Sequence, residues 1–326
     1  MPVPKSIFIW MDGHFIEWER ATVHVATHAL HYGSSAFEGV RAYTTPQGPA
    51  LFCLDPHVER LFNSCKMYKM PIPYLPAQIR DAIVETVRIN ELQSCYVRPL
   101  VFRGAENFSL DPRKCPVQVV IFAFPWGRYL GPEAIEKGVD VGVSSWRRMA
   151  TGTFPALGKI GGQYINSQLV AMEAADHGYV EGIALDVNGY VSEGSGENIF
   201  VISNGIIYTP PLAASILQGI TRTVAIALAR EFGYSVVEQN IPREMLYVAD
   251  EVFFTGTAAE ITPVRTIDHV TIGKGERGPI TKKLQDKFFA IVEGRDKDRH
   301  GWMSYVNQTA PVKFEFVPAA TERSEH

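Results

Sequence analysis

The sequence is poor in cysteine: four in 326 residues, Cys53, Cys65, Cys95 and Cys115, each standing alone and none in a C-x-x-C pair. That spacing argues against a zinc ribbon and a disulfide framework, and leaves reduced thiols as the simplest reading. Long apolar runs are also missing, and no segment is long enough to span a bilayer. Nor is there an excess of positive charge. Lys and Arg number 31 against 35 Asp and Glu, a net charge of −4 with no basic run, so nucleic acid and anionic membrane are poor partners. The opening residues, "MPVPKSIFIWMDGHF", carry no signal-peptide pattern and enter a hairpin pattern directly, so a cytoplasmic protein is expected. The three histidines of "HVATHALHYG" (24–33) have no carboxylate or cysteine to complete a metal site, and no metal is expected.

What is present is an ordinary globular balance, 46% hydrophobic and 20% charged residues, in a chain long enough for two domains. An Asp12-Gly13 turn between β-rich runs predicts a hairpin. A strand is expected at 50–54, then a helix with Asp55 as N-cap and Pro56 in its first turn, and a second helix over 76–91. Strands at 95–103 and 117–125 complete an α+β unit. The turn-rich "GRYLGPEAI" (127–135) marks the linker. Beyond it come a strand at 139–146, a helix near 163–177, and hairpins on Asn188-Gly189 and Asn204-Gly205. A helix at 221–232 and a strand at 234–239 follow, then a strand running into a glycine-threonine loop at 250–264. Strands and helices do not alternate strictly, so the expected class is α+β with two domains, 1–126 and 136–307. The segment 308–326 is expected to be a disordered tail.

Three motifs carry chemistry. "FPALGKIGGQYIN" (154–166) sets Lys159 among glycines between a strand and a helix, where something must approach closely. "GYVSEGSGENIFV" (189–201) places Glu193 and Glu197 among small residues; it is not the G-x-S-x-G elbow of hydrolases. "LQGITRTVAIALAREFG" (217–233) puts Gly219 and Thr221 at a helix start, where free N–H groups and the helix dipole favour a phosphate. It is neither a Walker loop nor a dinucleotide loop. The loop "TGTAAE" (255–260) could add the Thr257 hydroxyl. A lysine for an aldehyde, a carboxylate for a protonated ring nitrogen and a helix start for a phosphate together describe pyridoxal 5′-phosphate.

The segments "HALHYGSSAFEGVRAY", "YVRPLVF", "AFPWGRYLG", "GKIGGQYINSQL", "GIALDVNGYVSEGSGEN", "LQGITR" and "ADEVFFTGTAAEITPVR" resemble, in this order, the fold-type-IV aminotransferases. The bacterial branched-chain amino acid aminotransferases are the most similar, over about residues 7 to 307. The resemblance implies a ping-pong exchange of the amino group between leucine, isoleucine or valine and 2-oxoglutarate. It implies that Lys159 binds the cofactor, that Tyr164 hydrogen-bonds its ring hydroxyl oxygen and that Glu193 faces its ring nitrogen. The phosphate would be held by Arg60, the backbone of Gly219, Ile220 and Thr221, and the Thr257 hydroxyl. Tyr96 and the backbone of Thr257 and Ala258 would take the substrate α-carboxylate, supported by Arg41. Phe37, Trp126, Tyr129, Tyr164 and Ala259 would line the side-chain pocket, with Arg98 at its rim for a γ-carboxylate. Tyr32 and Leu110 would enter a partner subunit's site, making the active unit a homodimer at least, with a hexamer left open. Within the fold, D-amino acid or (R)-amine aminotransferases and aminodeoxychorismate lyase are the alternatives. "FEGVRAY" and "YVRPL" favour the branched-chain type. A non-catalytic carrier of the cofactor is the alternative outside enzymes.

Overall fold

The computed structural model describes residues 4–127 and 133–316. The chain forms two compact units, one made of the residues up to Trp126 together with those from Gly301 onward, the other of Gly127 to His300. Both are mixtures of sheet and helix, the α+β class expected.

The first unit is built on a nine-stranded sheet. Its hairpin, Phe8–Met11 with His14–Glu17, turns on Asp12 and Gly13, both at positive φ as a two-residue turn of this hand requires. Cys95–Arg103 and Val117–Pro125 pair antiparallel along their full lengths, from Cys95 opposite Pro125 to Arg103 opposite Val117. Ser35–Phe37 and Val40–Thr45 both pair with Cys95–Arg103. The helices Leu54–Met67 and Pro76–Ile89 bury faces at helical spacing, with Leu61, Ile79 and Ile83 at most 1% exposed. Each such side chain contributes about 1.5–3 kcal/mol. The first of these helices starts two residues earlier than expected: its N-cap is Cys53, in the left-handed region, rather than Asp55. Asp55 lies in the first turn instead, where its charge still complements the helix dipole.

The C-terminal segment departs from expectation. Met303–Tyr305 pairs antiparallel with Gly48–Phe52, and Glu315–Phe316 pairs parallel with His14–Glu17. Arg88 donates to the carbonyls of Val306 and Thr309, at 2.6 and 2.7 Å. Phe314 and Phe316 pack their rings on Trp10, Phe15 and Phe8. Residues 301–307 therefore belong to the first unit, not to the second domain, and 308–316 are placed by aromatic packing and hydrogen bonds rather than being a disordered tail. Of the expected linker, 128–132 lie outside the described residues, and Ala134–Lys137 is a short helix.

The second unit holds another nine-stranded sheet. Val139–Arg147 runs parallel to both Glu181–Leu185 and Glu260–Ile267, while the hairpins on Asn188-Gly189 and Asn204-Gly205 are antiparallel, so the sheet is mixed. Val141, Ile183, Ile199, Val201, Phe254 and Ile267 meet in its core. Tyr164–Asp176, Ile220–Glu231 and Pro279–Val292 are its long helices. No described helix is long and apolar enough to cross a membrane.

Candidate active site

Lys159 does not sit at a strand end. Val139–Arg147 stops well before it, and the lysine lies in a loop tightened by Gly158 N–H to Pro155 C=O and Ile160 N–H to Gly158 C=O. None of Gly158, Gly161 and Gly162 has a positive φ, so these glycines supply small size rather than a left-handed backbone. The half-buried Lys159 Nζ donates to Tyr164 Oη at 2.5 Å, and Tyr164 opens the helix Tyr164–Asp176.

Glu193, in the strand Val191–Gly194, is buried. Its Oε1 meets Arg148 Nη2 at 2.8 Å, and its Oε2 accepts from Asn198 Nδ2 at 3.1 Å and from the Leu217 N–H at 3.0 Å. Burial pushes its carboxyl up, and Arg148, the Leu217 N–H and Lys159 only partly offset this. A buried acid so poised is stabilised as an anion by a further positive group, which suits the N–H of a protonated ring nitrogen. The Lys159 charge is among the influences that favour the Glu193 anion.

Arg148 and Asn198 carry this geometry, and sequence reasoning assigned neither. Arg148, 5% exposed, also donates to Ser167 Oγ at 3.1 Å. With its amide set to suit both neighbours, Gln163 donates to the Gly158 carbonyl at 3.0 Å and accepts from Arg148 at 3.1 Å. That residue ties the lysine loop to the arginine. Asn198 donates to Glu193 and to the Leu217 carbonyl, and faces Thr255 across the sheet. A Cβ at Gly219 would fall 1.8 Å from Asn198 Oδ1. Close approach to Asn198 therefore accounts for the glycine. It is the N-cap of Ile220–Glu231, so that helix starts at Ile220 with Thr221 second. Thr257 and Ala258 are half-buried in the turn after Glu251–Gly256, and Ala259 is buried there. Thr255 Oγ1 is buried without a hydrogen-bond partner among the described residues. Glu197 is buried too, its carboxyl pushed well up by burial and by the neighbouring Glu181.

In the first unit, adjacent strands bring five expected residues together. Arg41 stands opposite Tyr96 and Phe37 opposite Leu100, two residues from Arg98. The Arg98 guanidinium carbon lies 4.6 Å from the Phe37 ring centroid and 5.4 Å from that of Tyr96, a cation–π stack. Trp126 packs 5.8 Å from Tyr96. Arg98 Nε is buried without a hydrogen-bond partner among the described residues. A Cβ at Gly39 would fall 1.6 Å from Tyr96 Oη, so glycine is required there for the tyrosine to lie where it does. Arg60 binds the buried Glu38 through Nε at 2.6 Å and Nη2 at 2.9 Å. Tyr32 and Leu110 are 46% and 84% exposed. Tyr129 lies outside the described residues. Of the histidines, His28 bonds Ser34 and the Ser109 carbonyl, and His31 the Val25 carbonyl.

The chain is similar over most of its length to known proteins. A branched-chain-amino-acid aminotransferase of Escherichia coli K12 is 49% identical over 309 residues, covering 94% of this chain and all of that protein. The crystal structure of an E. coli branched-chain amino acid aminotransferase superposes with a TM-score of 0.92 at 49% identity, over 93% of this chain and all of that one. The branched-chain amino acid aminotransferase of Thermobaculum terrenum, solved in its PLP-bound holo form, gives 0.86 at 33% identity, over 92% of this chain and 98% of that one. The family described as Amino-transferase class IV matches residues 35–267, a stretch that holds Arg60, Lys159, Glu193 and the Gly219 helix start. The chain belongs to the class IV aminotransferase family.

Proposed function

We propose that this chain is a branched-chain amino acid aminotransferase, dependent on pyridoxal 5′-phosphate, that exchanges the amino group of L-leucine, L-isoleucine or L-valine with 2-oxoglutarate. The observation that carries the reading is one site holding the Lys159–Tyr164 pair and the buried Glu193–Arg148 pair. The relatives of matching length and their names support the substrate class.

When bound, the cofactor supplies an aldehyde for amines and a ring that takes up the electrons left when the substrate α-proton departs. Lys159 Nζ would hold that aldehyde, and its free amine would carry the α-proton as general base and acid. Tyr164 Oη orients the amine. Glu193 keeps the ring nitrogen protonated, since an opposite charge favours the cationic form. The N–H groups at Gly219, Ile220 and Thr221, with the Thr257 hydroxyl and Arg60, hold the phosphate. Tyr96, Arg41 and the backbone of Thr257 and Ala258 fix the α-carboxylate. Phe37, Trp126, Tyr129, Tyr164 and Ala259 exclude water from the side chain, while Arg98 receives a γ-carboxylate. Tyr32 and Leu110 complete a neighbouring subunit's pocket, so the working unit is a homodimer or a larger assembly, in the cytoplasm.

A donor panel with 2-oxoglutarate as acceptor tests this, using both enantiomers of leucine and of 1-phenylethylamine. The L-branched-chain donors should be the best, and Lys159→Ala should abolish turnover while still binding the cofactor non-covalently. Preference for D-leucine or the (R)-amine would overturn the substrate assignment.

A further inference from the structure

We propose that Glu38, backed by His57, is the positioning residue that aims Arg60 at the cofactor phosphate. The proposal rests on the reading of Arg60 given above. Glu38 follows the strand Ser35–Phe37, and its N–H is fixed to the Pro99 carbonyl at 2.8 Å. His57 and Arg60 lie three positions apart on the helix Leu54–Met67, hence on one face. Both reach the same carboxylate: His57 Nδ1 at 2.7 Å from Oε2, Arg60 Nε at 2.6 Å from Oε1 and Nη2 at 2.9 Å from Oε2. A carboxylate can only accept, so the His57 proton sits on Nδ1. Burial alone would raise the Glu38 carboxyl, but Arg60 and His57 outweigh it and hold it well below the usual range. Glu38 is therefore an anion at neutral pH.

The arrangement goes beyond what a stabilising contact needs. Burying a charged pair adds little stability compared with apolar side chains of the same size. A two-pronged contact does fix the plane of a guanidinium, which a single bond would leave free to turn. Glu38 and His57 side chains are 1% exposed and Arg60 13%, so the arginine is the member at the edge of the cluster. The next residue, Gly39, makes room for Tyr96 Oη. One dipeptide thus holds Arg60 through its glutamate and leaves room for Tyr96 at its glycine.

The test is the preference of the cofactor-stripped, full-length chain for pyridoxal 5′-phosphate over pyridoxal, which has the same ring and aldehyde without the phosphate. Visible absorbance follows both titrations. Glu38→Gln should cut that preference about 10- to 100-fold, the loss expected for a misaligned charged hydrogen bond, and leave pyridoxal affinity within about threefold. Arg60→Met should cut it at least as far. His57→Gln, which keeps the carboxylate, should cut it less, by about 3- to 10-fold, and carries the test if Glu38→Gln does not fold. If Arg60→Met loses the preference while Glu38→Gln and His57→Gln keep it, the positioning role is refuted and Glu38 is structural. If Arg60→Met keeps the preference, the phosphate reading of Arg60 fails and takes this inference with it.

Discussion

Replacing Arg148 with methionine should expose how the site opposes the burial of Glu193. The two side chains are 5% and 7% exposed and meet at 2.8 Å, so solvent screens the pair little. Removing one member of such a pair costs about 3–5 kcal/mol, because the other charge stays buried. For a unit of this size, each kcal/mol shifts the melting temperature by roughly 2–4 °C. The expected drop is therefore about 6–20 °C for the cofactor-free chain at pH 8. The pH dependence is more telling than the drop. A carboxyl whose folded pKa lies above its unfolded value favours the fold below the unfolded pKa, and loses that advantage as pH rises through the folded one. Glu193 is already raised from 4.5 by burial, with Arg148 the strongest opposing influence. Without Arg148 it rises further. The variant should lie closest to wild type at the acid end of the range, as Glu193 takes up its proton, and fall behind as pH rises.

Glu193→Gln closes the cycle. With a neutral amide at 193, losing Arg148 should cost only about 1–2 kcal/mol, leaving a coupling of about 2–3 kcal/mol between the two sites. The variant should also slow the single-turnover reaction of the loaded enzyme with leucine, because a neutral amide at 193 no longer favours a charged ring nitrogen. A melting deficit equal at pH 5 and pH 8, with additive single and double variants, would mean that Arg148 merely fills space and bonds Ser167.

Two other perturbations separate the remaining roles. Gly219→Ala meets no backbone strain, since φ is −69°, but its Cβ collides with Asn198 Oδ1; loss of the Asn198 bonds should cost about 1–3 kcal/mol by thermal melting and weaken phosphate retention, and an unchanged melt would show that Asn198 moves aside freely. Arg98→Leu should lower kcat/KM for glutamate about 10- to 100-fold and leave leucine nearly unaffected; equal losses would make the stack on Phe37 and Tyr96 structural.

What the sequence made legible is what neighbouring residues encode. Asp12-Gly13, Asn188-Gly189 and Asn204-Gly205 write their own turns, and the apolar patterns of 95–103 and 117–125 mark strands whose limits the structure repeats. Lys159 stood out because small residues surround it. Met303–Tyr305 and Glu315–Phe316 were illegible because strands of three and two residues hold no period to count; a distant strand edge makes them strands. Arg148 was missed for a related reason. A single arginine after a strand reads as solvated by base rate, and nothing in "SSWRRMA" says that a glutamate two strands away will bury it.

Glu38 shows the same limit from the other side. "FEGVRAY" was recognised as a motif, yet its glutamate received no role, because its partners come from a helix about twenty positions on. In both cases a charge visible in the sequence acquires its task from an opposite charge that the fold delivers. The residues proposed to touch the ligand carry local signatures: glycines beside the lysine, a helix start for the phosphate. The residues that hold them in place obey no local pattern, since any strand or helix that reaches the right point can supply them. That asymmetry predicts where substitutions will be misjudged from sequence: at Arg148, Asn198, Glu38 and His57, before Lys159 or Glu193.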